Sequence, residues 1–171
     1  MVASCQSDNY YIRGEAWWLK DGTKLYLNTT LNTNGQPTDS TMVIAGHFLL
    51  QGTTDSSCIS RLSIADDEQP AIIFFTEPGN IYIELAPEQG CSRVSGTEVN
   101  NRWQALNDSV ALCDQSIRQL MSSAHDSVNI SHLSTSMQQL YDGITRLISL
   151  TAAENRDNAL GRFICTHYQG L

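Results

Sequence analysis

The chain has 171 residues, a formal net charge of −8 and 41% hydrophobic residues. That length allows one domain, or one domain with an appendage, around a real core. Its ten Lys and Arg residues are scattered rather than clustered, which argues against a phosphate-tracking nucleic-acid binder, and no apolar run approaches the roughly 20 residues of a membrane span.

The first residues, Val2-Ala3-Ser4-Cys5, are followed at once by the polar run Gln6-Ser7-Asp8-Asn9. An apolar residue, two small residues and a cysteine form the pattern of a bacterial lipobox. It makes Cys5 the expected lipidation site and residues 1–8 the end of a signal peptide plus a flexible tether. The protein is then expected in the cell envelope, lipid-anchored, periplasmic or surface-facing, with the lipid as its only membrane contact. An ordinary cysteine in an N-terminal tail is the plainer alternative.

Residues 9–97 read as about eight short strands. Tyr10 to Trp17 is aromatic-rich and roughly alternating, with Trp17 and Trp18 on opposite faces, one of them expected in the core. Asp21-Gly22 signals a hairpin before the alternating run Thr23 to Asn28. Thr38–Gly46 and His47–Gly52 straddle a turn at Ala45-Gly46. Cys58 to Ile64 is mixed. Ala71-Ile72-Ile73-Phe74-Phe75 is continuously apolar, the pattern of a central strand buried on both faces. Ile81 to Leu85 alternates after the turn Glu77-Pro78-Gly79-Asn80, and a last strand spans about Ser92 to Ser95. This spacing predicts an antiparallel β-sandwich or barrel over 9–97.

At Gly96 the period changes. Val99, Trp103, Leu106, Val110, Cys113, Ile117 and Leu120 share one helical stripe. After a break at Ser122 to Asn129, Ile130, Leu133, Met137, Leu140, Ile144 and Leu147 repeat the spacing. Two such stripes predict an antiparallel helical hairpin. A second break at Asn155-Arg156-Asp157-Asn158 precedes a short third helix through Leu160, Phe163 and Ile164. The fold class is therefore α+β: an antiparallel sandwich over 9–97 followed by a helical appendage over 98–171.

Motifs that carry chemistry are scarce. There is no nucleotide-binding glycine loop, no zinc-binding His-Glu-x-x-His and no nucleophile elbow. His47, His125, His132 and His167 are well separated. Asp66-Asp67-Glu68 lacks the alternating ligands and glycine of a calcium loop and reads as a solvated turn. Apart from Cys5, the cysteines are Cys58, Cys91, Cys113 and Cys165, none spaced as Cys-x-x-Cys. They read as buried free thiols, with a Cys58–Cys91 disulfide as the sharper alternative in an oxidising compartment. No cofactor, metal site or catalytic residue is expected.

Several turn-centred segments recur in a recognisable order: Lys20-Asp21-Gly22-Thr23-Lys24-Leu25-Tyr26-Leu27, Asp39 to Val43 with Gly46-His47-Phe48 and Gly52, Gly79 to Ile83, and Val94-Ser95-Gly96-Thr97 with Asn100-Asn101 and Trp103. Together they resemble the N-terminal domain of unknown function that precedes a thioredoxin-like domain in Bacteroidetes-type thiol–disulfide oxidoreductase lipoproteins. Glu154 to Asn158 through Gly161 resembles the helical segment before the thioredoxin fold. The resemblance implies export and lipidation, in keeping with Cys5. It also implies redox chemistry at a Cys-x-x-Cys that this sequence lacks, so that activity carries over to no residue here. The chain reads as a truncation of a longer protein or as a stand-alone accessory domain. In the same bacterial group, Asp-Ser/Thr-aliphatic or Thr triplets resemble O-glycan acceptors, which makes Ser40, Ser109 and Ser127 candidates.

The leading expectation is a non-catalytic envelope module that binds an exported protein or presents a thioredoxin-like domain, with no nucleic-acid partner. Two alternatives remain: a cysteine enzyme using Cys91 or Cys165, and a small-ligand sandwich built around Trp17, Trp18 and Tyr82. A sandwich edge or the outer face of the hairpin is the expected contact surface.

Overall fold

The computed structural model describes residues 8–30, 36–65, 67, 70–123 and 130–168. Among them run eight strands and then three helices: β1 (Asn9–Glu15), β2 (Lys24–Thr29), β3 (Asp39–Met42), β4 (His47–Thr53), β5 (Cys58–Ile64), β6 (Pro70–Thr76), β7 (Gly79–Glu84), β8 (Arg93–Ser95), α1 (Glu98–Ser123), α2 (Ile130–Glu154) and α3 (Ala159–His167). The expected α+β architecture holds. The chain divides into two compact units, Met1–Asn101 and Arg102–Leu171. The division falls a few residues beyond Gly96, because the first turn of α1 packs with the strands.

The first unit is a two-sheet sandwich, with orders β4-β1-β7-β8 and β3-β2-β5-β6. Alternation places Ile12, Leu50, Ile81, Ile83 and Val94 of the first sheet and Leu25, Leu27, Leu62 and Phe74 of the second in the core. Pairing is antiparallel except between β1 and β7, which run parallel. Asp21-Gly22 is a turn, as its glycine φ of 85° shows, but it does not close a hairpin. It carries the chain from β1 in one sheet to β2 in the other.

Two glycine–aromatic pairs shape the first sheet. Gly14 lies opposite Phe48, and Gly52 opposite Tyr10, across β1 and β4. A methyl group at Gly14 would overlap the Phe48 ring, and one at Gly52 would stand 2.6 Å from the Tyr10 hydroxyl. Each ring therefore lies over the backbone of the opposite strand, in space that any side chain would fill. The turn between β3 and β4 has both central residues at positive φ, Ala45 at 50° and Gly46 at 75°. That is the two-residue hairpin geometry suited to the strand twist. Ile44 and His47 close it by exchanging backbone hydrogen bonds of 2.9 and 3.0 Å.

The apolar run Ala71 to Phe75 is not a central strand. β6 stands at the edge of its sheet. It is nonetheless buried on both faces toward its end, with Phe74 and Phe75 fully inaccessible. Its open backbone edge is covered there by Asn100, in the first turn of α1. Its side chain accepts from Phe75 N at 2.9 Å and donates to Phe75 O at 2.7 Å and to Thr97 Oγ1 at 2.7 Å. A primary amide thus supplies the donor and acceptor that a further strand would have supplied. Gly96, at φ 107°, turns the chain from β8 into α1, and a side chain there would strike the carbonyl of Asn80.

In the second unit, the α1 stripe is buried at Trp103, Leu106, Cys113 and Ile117. The α2 stripe drifts. Ile148 is 5% exposed, whereas Leu147 is 37% exposed. A straight helix of 3.6 residues per turn departs from a strict seven-residue repeat, so the step after Ile144 is four rather than three. The α2–α3 break is knit by Asn155, which is buried. It donates to Thr151 O at 2.8 Å and accepts from Asn158 Nδ2 at 2.9 Å and Arg102 Nη1 at 3.2 Å. Asn158 then caps α3, its Oδ1 accepting from Leu160 N at 2.9 Å and Gly161 N at 3.3 Å. Among the described residues no helix is long and apolar enough to cross a membrane.

Candidate binding face on the first sheet

The strand pattern that buries one face of the β4-β1-β7-β8 sheet exposes the other. Register assembles that outer face in rows. Gln51, Tyr11 and Asn80 form one row, Leu49, Arg13, Tyr82 and Ser95 the next, and His47, Glu15, Glu84 and Arg93 the third. Tyr11, Leu49 and Tyr82 are 38%, 51% and 47% exposed. Ile44, bridged to His47 across the turn, is exposed beside the last row. Beyond that row sits Trp17, 66% exposed but held on three sides. Its Nε1 donates to Glu15 Oε2 at 3.0 Å, its ring meets His47 edge-on at 4.5 Å, and its six-membered ring covers Gly46. The two arginines and two glutamates of the face balance formally. At its other end a depression of about 240 Å³ is lined by Asn9, Tyr11, Gln51, Gly52 and Thr53.

Neither adjacent tryptophan is a core residue. β1 ends at Glu15, and it is Ala16 that is fully buried. Trp18 turns away from Trp17 and donates from Nε1 to Leu85 O at 3.0 Å. It lines a separate cleft of about 170 Å³ with Ile64, Pro70, Ala86 and Pro87. Trp17, Trp18 and Tyr82 therefore do not surround one pocket.

The cysteines do not form a constellation. Cys58 is buried and Cys91 exposed, and both are free thiols, so the Cys58–Cys91 disulfide is not formed. Burial pushes the Cys58 thiol above its ordinary value, only partly offset by hydrogen bonding to Ser60 and Thr76. Ser60 and Thr76 share a 2.7 Å hydroxyl contact beside it in the core. Cys113 is buried on its stripe. Cys165, expected as a buried thiol, is exposed. His167, two residues on, stacks on Phe163 at 4.6 Å. Among the described residues no group of three or more His, Cys, Asp or Glu could hold a metal ion.

Ser40 is exposed on β3, and its N–H donates to Asp39 Oδ1 at 2.7 Å. Ser109 turns its hydroxyl back to Ala105 O at 2.9 Å. Cys5, Ser127, Asp66, Glu68 and the side chains of His125 and His132 lie outside the described residues. Asn100 and Asn155 stand in the sequence analysis only as motif and break positions, and their structural roles were missed there. For Asn100 the available signal was an amide in a helix, where Asn competes poorly unless it bonds backbone.

Fold and face define an α+β protein in which a two-sheet sandwich with one exposed, partly aromatic sheet face precedes a set of helices. The family described as Domain of unknown function (DUF4369) matches residues 10–103, which is more than half of the chain, and the chain belongs to that family. The match covers the sandwich and the start of α1. No curated protein matches the chain.

Proposed function

We propose that this protein is a non-catalytic accessory or binding module of the cell envelope, lipid-anchored through Cys5, whose contact surface is the outer face of the β4-β1-β7-β8 sheet. The observation that carries the reading is that face. Tyr11, Trp17, Ile44, Leu49 and Tyr82 stand exposed on one side of a single sheet, a concentration of apolar surface that marks interaction sites. The envelope placement draws support from Val2-Ala3-Ser4-Cys5 and from the resemblance to lipoprotein N-terminal domains. The lack of turnover draws support from the thiols. Cys58 and Cys113 are both buried, Cys58 with a raised pKa, and no two cysteines have the Cys-x-x-Cys spacing of a redox pair.

The test is fractionation of the native precursor in its own host. The protein should partition with membranes, and Cys5→Ala should release it. Membrane association unchanged by that substitution overturns the anchor. Insulin reduction by the same protein should not exceed a serum-albumin control. Turnover abolished by a single change at Cys91 or Cys165 overturns the non-catalytic assignment.

A further inference from the structure

We propose that the outer face of the β4-β1-β7-β8 sheet binds a neutral oligosaccharide, seated on Tyr11 and Tyr82 and running toward Trp17. The proposal rests on the reading of this face as the contact surface, and it names the ligand class.

The choice follows from what stands beside each ring. Tyr11 lies in register between Gln51 and Asn80, and Tyr82 between Arg13 on β1 and Ser95 on β8. A sugar ring has the complementary layout, with C–H bonds on its flat faces and hydroxyls around its edge. An aromatic ring beneath it takes the C–H face, while flanking amides donate to and accept from the hydroxyls and a guanidinium donates to them. A purely apolar partner would leave those amides and the guanidinium buried without partners, at a cost in affinity.

Charge selects against an ionic polymer. Arg13 and Arg93 are matched by Glu15 and Glu84 on the same face, and the chain as a whole carries −8. A polyanion needs clustered cations, and a polycation would meet two arginines. A neutral ligand meets neither penalty.

Dimensions favour a chain of several sugar units over a single one. From Tyr11 to Glu15 the strand covers about 13 Å, and Trp17 lies beyond it. Trp17 is already fixed by Glu15, His47 and the backbone at Gly46, so stacking on it costs little side-chain entropy. The depression walled by Asn9, Gln51 and Thr53 at the opposite end would take a terminal unit.

The experiment is affinity electrophoresis of the full chain through native gels containing hydroxyethylcellulose, glucomannan, laminarin, pullulan or soluble chitosan oligomers re-acetylated to neutrality. At least one should retard the protein. Tyr11→Ala with Tyr82→Ala should weaken that retardation about tenfold or more. Tyr26→Ala, on the outer face of the other sheet, should leave it unchanged. Both tyrosines of the double variant are exposed, so its melting curve should match the wild type and separate lost binding from lost fold.

Absence of retardation in every gel overturns the proposal, as does retention by the double variant. Binding only to dextran sulfate, abolished by salt, overturns it in favour of an anionic ligand. A wild-type dimer in sedimentation that the double variant converts to monomer overturns it in favour of a second copy of this chain. None of these results bears on membrane release by Cys5→Ala, so the two readings fail separately.

Discussion

Replacing Asn100 with Ala deletes three hydrogen bonds from a fully buried position, two to the Phe75 backbone and one to Thr97. The carbonyl of Ile59, opposite Phe75 in register, accepts from Thr30 on the β2 side of β5. The Phe75 N–H and C=O accordingly face away from β5, toward the open edge of the sheet. Each backbone group left buried without its partner costs about 1–3 kcal/mol. Two of them, with the loss of the amide's own packing, put the expected cost at about 3–5 kcal/mol. That is a large share of the roughly 5–15 kcal/mol that holds a domain folded. Urea unfolding followed by circular dichroism reads the total, and hydrogen exchange at the Phe75 amide reads the site, where protection should fall sharply. Asn100→Asp refines the test. Its carboxylate still accepts from Phe75 N–H but cannot donate to Phe75 O until protonated. Burial raises its folded pKa above the unfolded one, so its penalty is greatest at neutral pH and shrinks as pH falls toward about 4. An Ala variant within about 1 kcal/mol of wild type, with Phe75 protection unchanged, would refute the idea that the amide stands in for a strand.

Gly14→Ala should lower stability by about 1–3 kcal/mol through overpacking against Phe48, and part of that loss should return when Phe48 is also shortened to Leu. A colorimetric thiol titration of the native chain should label Cys91 and Cys165 quickly, and Cys58 and Cys113 only on unfolding. Tyr10, Tyr168 and Cys58 all have pKa values raised mainly by burial. The unfolded chain therefore loses these protons first as pH rises. Their contribution is complete below the ordinary values of 9.0 and 10.0 and is lost above them. Melting temperature should hold steady from pH 7 to about 9 and fall by pH 11, and a rise across that interval would contradict the assignment.

The strand and helix order was legible because period is local. Alternation from Tyr10 to Leu85 and the stripe from Val99 to Leu120 are each written in neighbouring residues. Sheet membership was not, because it depends on which turns stay within a sheet. Asp21-Gly22 has hairpin chemistry, yet β1 and β2 lie in different sheets. The run Ala71 to Phe75 looked central because its burial is real; the cover on its edge comes from one amide about 25 residues further on. The candidate face was partly visible in Trp17 and Tyr82. Its rows were not, since Tyr11, Arg13 and Leu49 acquire neighbours only through the register of three strands.

The glycine–aromatic pairs of β1 and β4 also key the two strands to each other. Sliding β4 by one residue would invert its faces and is excluded by the core. Sliding by two preserves the faces, and ordinary aliphatic strands resist that error weakly. Here one such slip sets Ile12 opposite Phe48 and Gly14 opposite Gly46, crowding one position and emptying another. The opposite slip brings Leu50 against Gly14 and Phe48 against Ala16. Only the native pairing seats both rings, so an error in alignment is penalised twice, at two sites four residues apart. The β1–β4 pair therefore has one favoured alignment, and the rows of the exposed face inherit their order from two residues without side chains.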